Sequence, residues 1–127
     1  MVTVSLEPTL WVVSVLFLAM GLYGSVAPQA LVKPFGVSLD GADARTEVRA
    51  VYGGFGVAIA VMLALAAIRD DATTEPIALT VGVALFGMAG GRIVSALIER
   101  GRVALYPTWF YVAVEVLGGA VLVAAVS

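Results

Sequence analysis

Residues 44–68 read ARTEVRAVYGGFGVAIAVMLALAAI. Three charged side chains, Arg45, Glu47 and Arg49, stand at the start, and from Ala50 to Ile68 there is none. At about 1.5 Å per residue a helix of this length exceeds the hydrocarbon thickness of a bilayer, about 30 Å. Its apolar body therefore spans, and its charged first turns rise out of the membrane. Glycines 53, 54 and 56 fall where the charged part gives way to the apolar part, a composition that lets a second helix backbone come close.

The rest of the chain repeats the apolar theme. Of its 127 residues 61% are hydrophobic and 13% charged, with a mean hydropathy of +1.06. Soluble domains hold about 45–50% apolar and about 25% charged residues, so lipid is the expected solvent. The apolar runs predict four spans, at about 10–27, 44–68, 76–98 and 107–126. Pro28 closes the first, Pro76 lies in the first turn of the third, and Pro107 opens the fourth. Asp43 is the expected N-cap of the second span, and Thr73 to Glu75 the cap of the third. Residues 1–9 are read as lying outside the bilayer. The first run lacks the preceding Lys or Arg of a signal peptide and is longer than a signal core, so it is read as a retained span.

The expected fold is thus all-α, an integral membrane four-helix bundle in a single domain with both termini on one side. Lys33, Arg45, Arg49, Arg100 and Arg102 flank the first and third connections, against Arg69 at the second. The excess of basic residues places the former set in the cytoplasm and both termini outside. The connection from Gln29 to Asp43 is too apolar at Ala30–Val37 for a free loop, and a turn resting on the bundle is expected.

A net charge of -2 without a basic block excludes the clustered cations of a nucleic-acid binder. With no cysteine and no histidine, thiolate chemistry, disulfides, imidazole bases and the usual zinc or haem ligands are gone, and neither a metal nor a cofactor is expected. Acid–base chemistry falls to Glu, Asp, Tyr or Arg.

Charged residues inside a span are costly, so each asks for a partner or a task. Arg92 lies six residues before Ile98, roughly 9 Å from its helix end, and Glu115 eight residues past Pro107, roughly 12 Å from the corresponding end. Matched depth predicts an Arg92–Glu115 pair. Arg49, Tyr52, Gly53 and Gly56 share one helical face, with Glu47 turned about 200° from Arg49. Arg92 shares a face with Ser95 and Glu99, and Glu115 with Tyr111 and Gly118. These residues describe a polar pocket facing the cytoplasmic end. Trp11, Tyr23, Tyr106, Trp109 and Tyr111, near helix ends, are expected to anchor at the membrane interface.

A first helix ending in Pro, then Phe35–Gly36, then Ala-Arg-x-Glu-x-Arg-Ala-x-Tyr-Gly-Gly at 44–54, then Gly91–Arg92 and an isolated Glu115 resembles a bacterial family of four-helix membrane proteins known only as a domain of unknown function. The resemblance spans nearly the whole chain. It implies the architecture and a shared polar set, Glu47, Arg49, Tyr52, Arg92 and Glu115, and it carries no activity with it.

Three functions fit these residues. The first is an intramembrane site for a lipid-like or amphiphilic molecule, with Arg49, Arg92, Glu47, Tyr111 and Ser95 binding. Glu115 and Tyr52 would then act as acid and base if the ligand is isomerised or cyclised. The second is a small oligomeric transporter or channel, with a homodimer formed through Gly87 and Gly91. The third is an accessory subunit in which the charges only brace the helices. The bilayer is the expected partner in each, and a bacterial inner membrane the expected location.

Overall fold

The fold is described from a computed structural model, over residues 4–126. Among the described residues there are helices and no strand. Helix α1 runs over Leu6–Val26 and the short α2 over Pro28–Val32, followed by a 3-10 turn at Lys33–Phe35. Helix α3 covers Ala42–Arg69, α4 Thr74–Ile98 and α5 Leu105–Val126. The four long helices are each long and apolar enough to cross a membrane, which points to a membrane protein. Val12, Leu16, Phe55, Val83 and Leu117 are more than half exposed, as side chains facing lipid are.

Several boundaries differ from those expected. Helix α1 begins at Leu6, so Glu7 and Pro8 lie in its first turn, where an acidic side chain and a proline both suit the free N–H groups. Of the segment expected outside the bilayer, residues 1–3 lie outside the described residues, and Leu6–Thr9 is helical. Gly41, not Asp43, is the N-cap of α3, which leaves Asp43 within the first turn. Thr73 occupies the N-cap of α4 without a capping bond from its side chain. Its hydroxyl and its amide instead both donate to Asp71 Oδ1, and these two bonds hold the Asp71 carboxyl below its ordinary value of 3.8. The buried Thr74 closes the same turn, its hydroxyl accepting from the Asp71 amide and donating to Ala66 O at 2.9 Å.

The long helices pack as two antiparallel pairs. In the first, α1 crosses α3 on glycine. A Cβ built on Gly21 would lie 2.7 Å from Val57 N and 2.8 Å from Gly53 O, and one on Gly56 would lie 3.0 Å from Gly21 Cα. Backbones this close gain van der Waals contact that a lipid environment does not otherwise favour. Ser14 adds a buried bond from its hydroxyl to Ala60 O at 2.7 Å. In the second pair, Gly82 of α4 meets Gly119 and Leu122 of α5 in the same manner. Between the pairs, Leu10, Val13, Leu63, Ala66, Ala78, Val81, Leu85 and Leu122 form the core. Along α4 that core runs from Ala78 to Leu85, nearer the start of the helix than Arg92.

Helix α3 is not regular throughout. Arg49–Gly54 forms a π-helical turn, and the amide of Phe55 reaches back five residues to Ala50 O. Gly53 and Gly56 meet α1 on and just after this widened turn, while Gly54 is exposed. At the end of α4 the chain reverses through paired bonds, Gly101 N to Ala96 O at 2.8 Å and Arg100 N to Leu97 O at 3.1 Å. This is the Schellman arrangement, with Arg100 and Gly101 both at positive φ.

Candidate functional site

Arg92 stands on α4 where the helix has passed the core, and Glu115 on α5 opposite it. Arg92 Nε donates to Glu115 Oε1 at 2.9 Å, the pair that matched depth predicts. The glycine-rich contact of α4 with α5, at Gly82 and Gly119, fixes the separation at which this bond closes. Glu115 is 4% exposed, the most buried charged residue described, whereas the side chain of Arg92 remains 23% exposed.

The guanidinium is flanked by two aromatic rings. The ring centre of Tyr111, one turn before Glu115 on α5, lies 5.2 Å from Arg92 Cζ, and that of Phe35 lies 5.7 Å away. A cation over a ring gains about 0.5–1 kcal/mol in water and about 2 kcal/mol when desolvated. Phe35 comes from the connection after α2, and its ring lies 5.6 Å from that of Tyr111. Phe110 and Tyr106 extend the aromatic cluster, at 5.2 and 6.3 Å from Tyr111. The connection holds Phe35 there through Gln29. Its amide nitrogen donates to Val37 O at 3.0 Å, and its amide oxygen accepts from Leu39 N at 2.7 Å. The buried Pro28 and Val32 seat the segment on the bundle, as its apolar composition implies.

The pairing uses little of what Arg92 can offer. Only Nε is engaged, where a guanidinium beside a carboxylate can present a two-pronged fork. Among the described residues no buried side-chain nitrogen or oxygen lacks a hydrogen-bond partner. Since the Arg92 terminal nitrogens make no bond among the described residues, these must lie at an accessible surface of the site. The same holds for Glu115 Oε2.

The other expected site residues fall elsewhere. Arg49 Nε donates to Ser25 O at 3.0 Å, a carbonyl in the last turn of α1 with no helical partner of its own, where a cation also suits the helix dipole. Tyr52 is half-buried beside Gly24, with no hydrogen bond from its hydroxyl among the described residues. Arg49, Tyr52, Gly53 and Gly56 do lie along one side of α3, and that side faces α1 rather than the Arg92–Glu115 pair. Glu47 and Ser95 are exposed and make no side-chain hydrogen bond or ion pair there. Gly87 and Gly91 meet nothing within 4 Å, so their face of α4 is unpacked within the chain. The residue type of Phe35 does not mark it as a site residue; the apolar connection, which needs a surface to rest on, is the signal for it. Among the described residues no three His, Cys, Asp or Glu side chains are grouped to hold a metal.

Fold and site together define an all-helical bundle, with four helices long and apolar enough to cross a membrane and a charged pair beside an aromatic cluster. The chain belongs to the family described as a domain of unknown function, DUF4345, whose profile matches residues 6–126. No characterised protein and no solved structure matches it.

Proposed function

We propose that this protein binds a lipid-like or amphiphilic molecule at Arg92, with the anionic head on the free edge of the guanidinium and the tail along the apolar surfaces of α4 and α5. The observation that carries this reading is the single-pronged pairing of Arg92. A charge kept in a span only as a brace is best served by saturating it, because each unused donor forgoes stabilisation in a low dielectric. Here the terminal nitrogens stay open beneath the Phe35 ring, in a position to receive an oxyanion.

Should the bound molecule also react, Glu115 is the carboxylate beside it and Tyr111 the phenol whose ring flanks Arg92. Tyr52, on the α1 side of α3, is the weaker candidate. The basic residues around the first and third connections support a cytoplasmic mouth, with both termini outside.

Calorimetry with decanesulfonate tests the reading in nanodiscs of zwitterionic phosphatidylcholine. Saturable binding that Arg92→Gln abolishes is expected, with decanol not competing. If phosphatidylglycerol in the disc competes, the anionic head is that of a bilayer lipid; if it does not, a free amphiphile is the ligand. Equal affinity of wild type and Arg92→Gln for the sulfonate would overturn the assignment.

A further inference from the structure

We infer that the Arg92 site takes its anionic ligand together with one proton, which lands on Glu115. The inference rests on the binding reading above and adds the charge balance that the surroundings of the pair impose.

Among the described residues Arg92 is the only cation in contact with Glu115. The groups around them cannot replace it. Phe35, Tyr111 and Tyr106 bring no cation to it. On α1 the titratable side chains are Glu7, in the first turn at the opposite end, and Tyr23, half exposed. On α3, Arg49 is committed to Ser25 O and Arg45 to Leu39 O. Glu75 and Glu99 on α4 are exposed at its two ends, and Lys33 is exposed on the connection. The pair is therefore neutral as it stands, one cation with one carboxylate, in an otherwise uncharged stretch of the bundle.

A bound oxyanion changes this balance. Whether it adds at the terminal nitrogens or displaces Glu115 from Nε, two anions then share one cation, and Glu115 is 4% exposed. A buried carboxylate without a full counter-charge is stabilised by taking a proton. The balanced step is Arg92⁺·Glu115⁻ plus an anion plus H⁺, giving Arg92⁺·anion beside a neutral Glu115 carboxylic acid. The neutral acid gains a donor hydrogen, which the carboxylate lacks, and can bond to the ligand it admits. Oε2, which takes no hydrogen bond, is open to receive the proton.

The consequence is a site whose affinity follows the proton concentration on the side to which it opens. Decanesulfonate is a suitable probe because it stays ionised over the whole range. Its affinity for the wild type in phosphatidylcholine nanodiscs is expected to tighten as pH falls from 8 to 6, with about tenfold per unit as the limit that one linked proton sets. Calorimetry in two buffers of different ionisation heat should count about one proton taken up per ligand. Glu115→Gln keeps an acceptor for Arg92 Nε and removes the titrating group, and its affinity should be independent of pH.

Binding that depends on Arg92 but shows no proton uptake in the wild type would overturn the coupling and leave the binding reading intact. Uptake that persists in Glu115→Gln would also overturn it, by placing the proton elsewhere. Absence of binding in the wild type and in Glu115→Gln at every pH would instead defeat the binding reading itself.

Discussion

Removal of Arg92 is the perturbation whose effect the structure constrains best. In Arg92→Ala, Glu115 keeps its place on α5 with 5% of its side chain exposed and loses the counter-charge that pairs with it. Taking one partner from a buried ion pair destabilises by about 3–5 kcal/mol. Because 23% of the Arg92 side chain is already exposed, water can follow into the vacated space, so the expected loss lies at the low end, about 3 kcal/mol. Glu115→Gln should be milder. Its amide oxygen still accepts from Nε, and the cation left behind already has accessible nitrogens, so the loss is that of a weakened charged hydrogen bond, about 1–2 kcal/mol. Arg92→Met combined with Glu115→Leu should return to within about 1 kcal/mol of wild type, since an apolar pair of similar volume can replace an ion pair. Unfolding of the purified protein in mild detergent by added dodecyl sulfate, followed by far-ultraviolet circular dichroism, reads all three. A single Arg92→Ala variant within about 0.5 kcal/mol of wild type, the scatter of neutral surface changes, would refute the reasoning, because Glu115 would then not depend on that cation.

Further outcomes follow from the packing and the turns. Gly21→Ala would drive a methyl against Val57 N and Gly53 O and should destabilise by about 1–3 kcal/mol, whereas Gly91→Ala, with open space around it, should be neutral or stabilising in the same dodecyl sulfate assay. If α4 pairs two copies through its Gly87 and Gly91 face, Gly91→Ala will lower energy transfer between labelled protomers in liposomes without that loss of stability. Asp71 is held below 3.8 by the Thr73 hydroxyl and amide. Its contribution to stability is therefore complete above about pH 4 and is lost as pH falls through the depressed folded value. Asp71→Asn should flatten the decline in melting temperature between about pH 4 and pH 2.5, and an unchanged decline would contradict the sign. Gln29→Ala removes both clamps on the Val37–Leu39 segment of the connection. Amide exchange should rise over residues 33–39 while the melting temperature of the bundle barely moves.

Much of this architecture is legible in the residues, and the parts that are not have identifiable causes. Four apolar runs give the spans because length and uninterrupted apolarity leave a bilayer as the only compatible solvent. The Arg92–Glu115 contact follows from depth, since helices of constant rise that start from one end bring residues at equal distances to equal levels. Neighbour identity is harder to read. Helical periodicity groups Arg49 with Tyr52, Gly53 and Gly56, but a periodic pattern says only that these residues share a face. That face meets α1, and the reach of an arginine side chain carries Arg49 to the free carbonyl of Ser25 rather than to a pocket. The π-helical turn at Arg49–Gly54 is likewise invisible, because nothing in a run of apolar and small residues marks one extra residue in a turn. Helix starts moved by a few residues where caps were read from side-chain type. Gly41 caps α3 by backbone geometry alone, and Thr73 gives its hydroxyl to Asp71. The role of Phe35 depends on a connection folding back over α4 and α5, a long-range placement for which the sequence offers only an apolar loop in need of cover.

The central claim is that Arg92 holds the head of an amphiphile, and native mass spectrometry of the protein released gently from its own membranes tests it most directly. The wild type should carry one defined adduct of an acidic, lipid-like mass, which Arg92→Gln loses and Gly91→Ala keeps. Bare wild-type protein, or the same adduct on Arg92→Gln at equal occupancy, would contradict the claim.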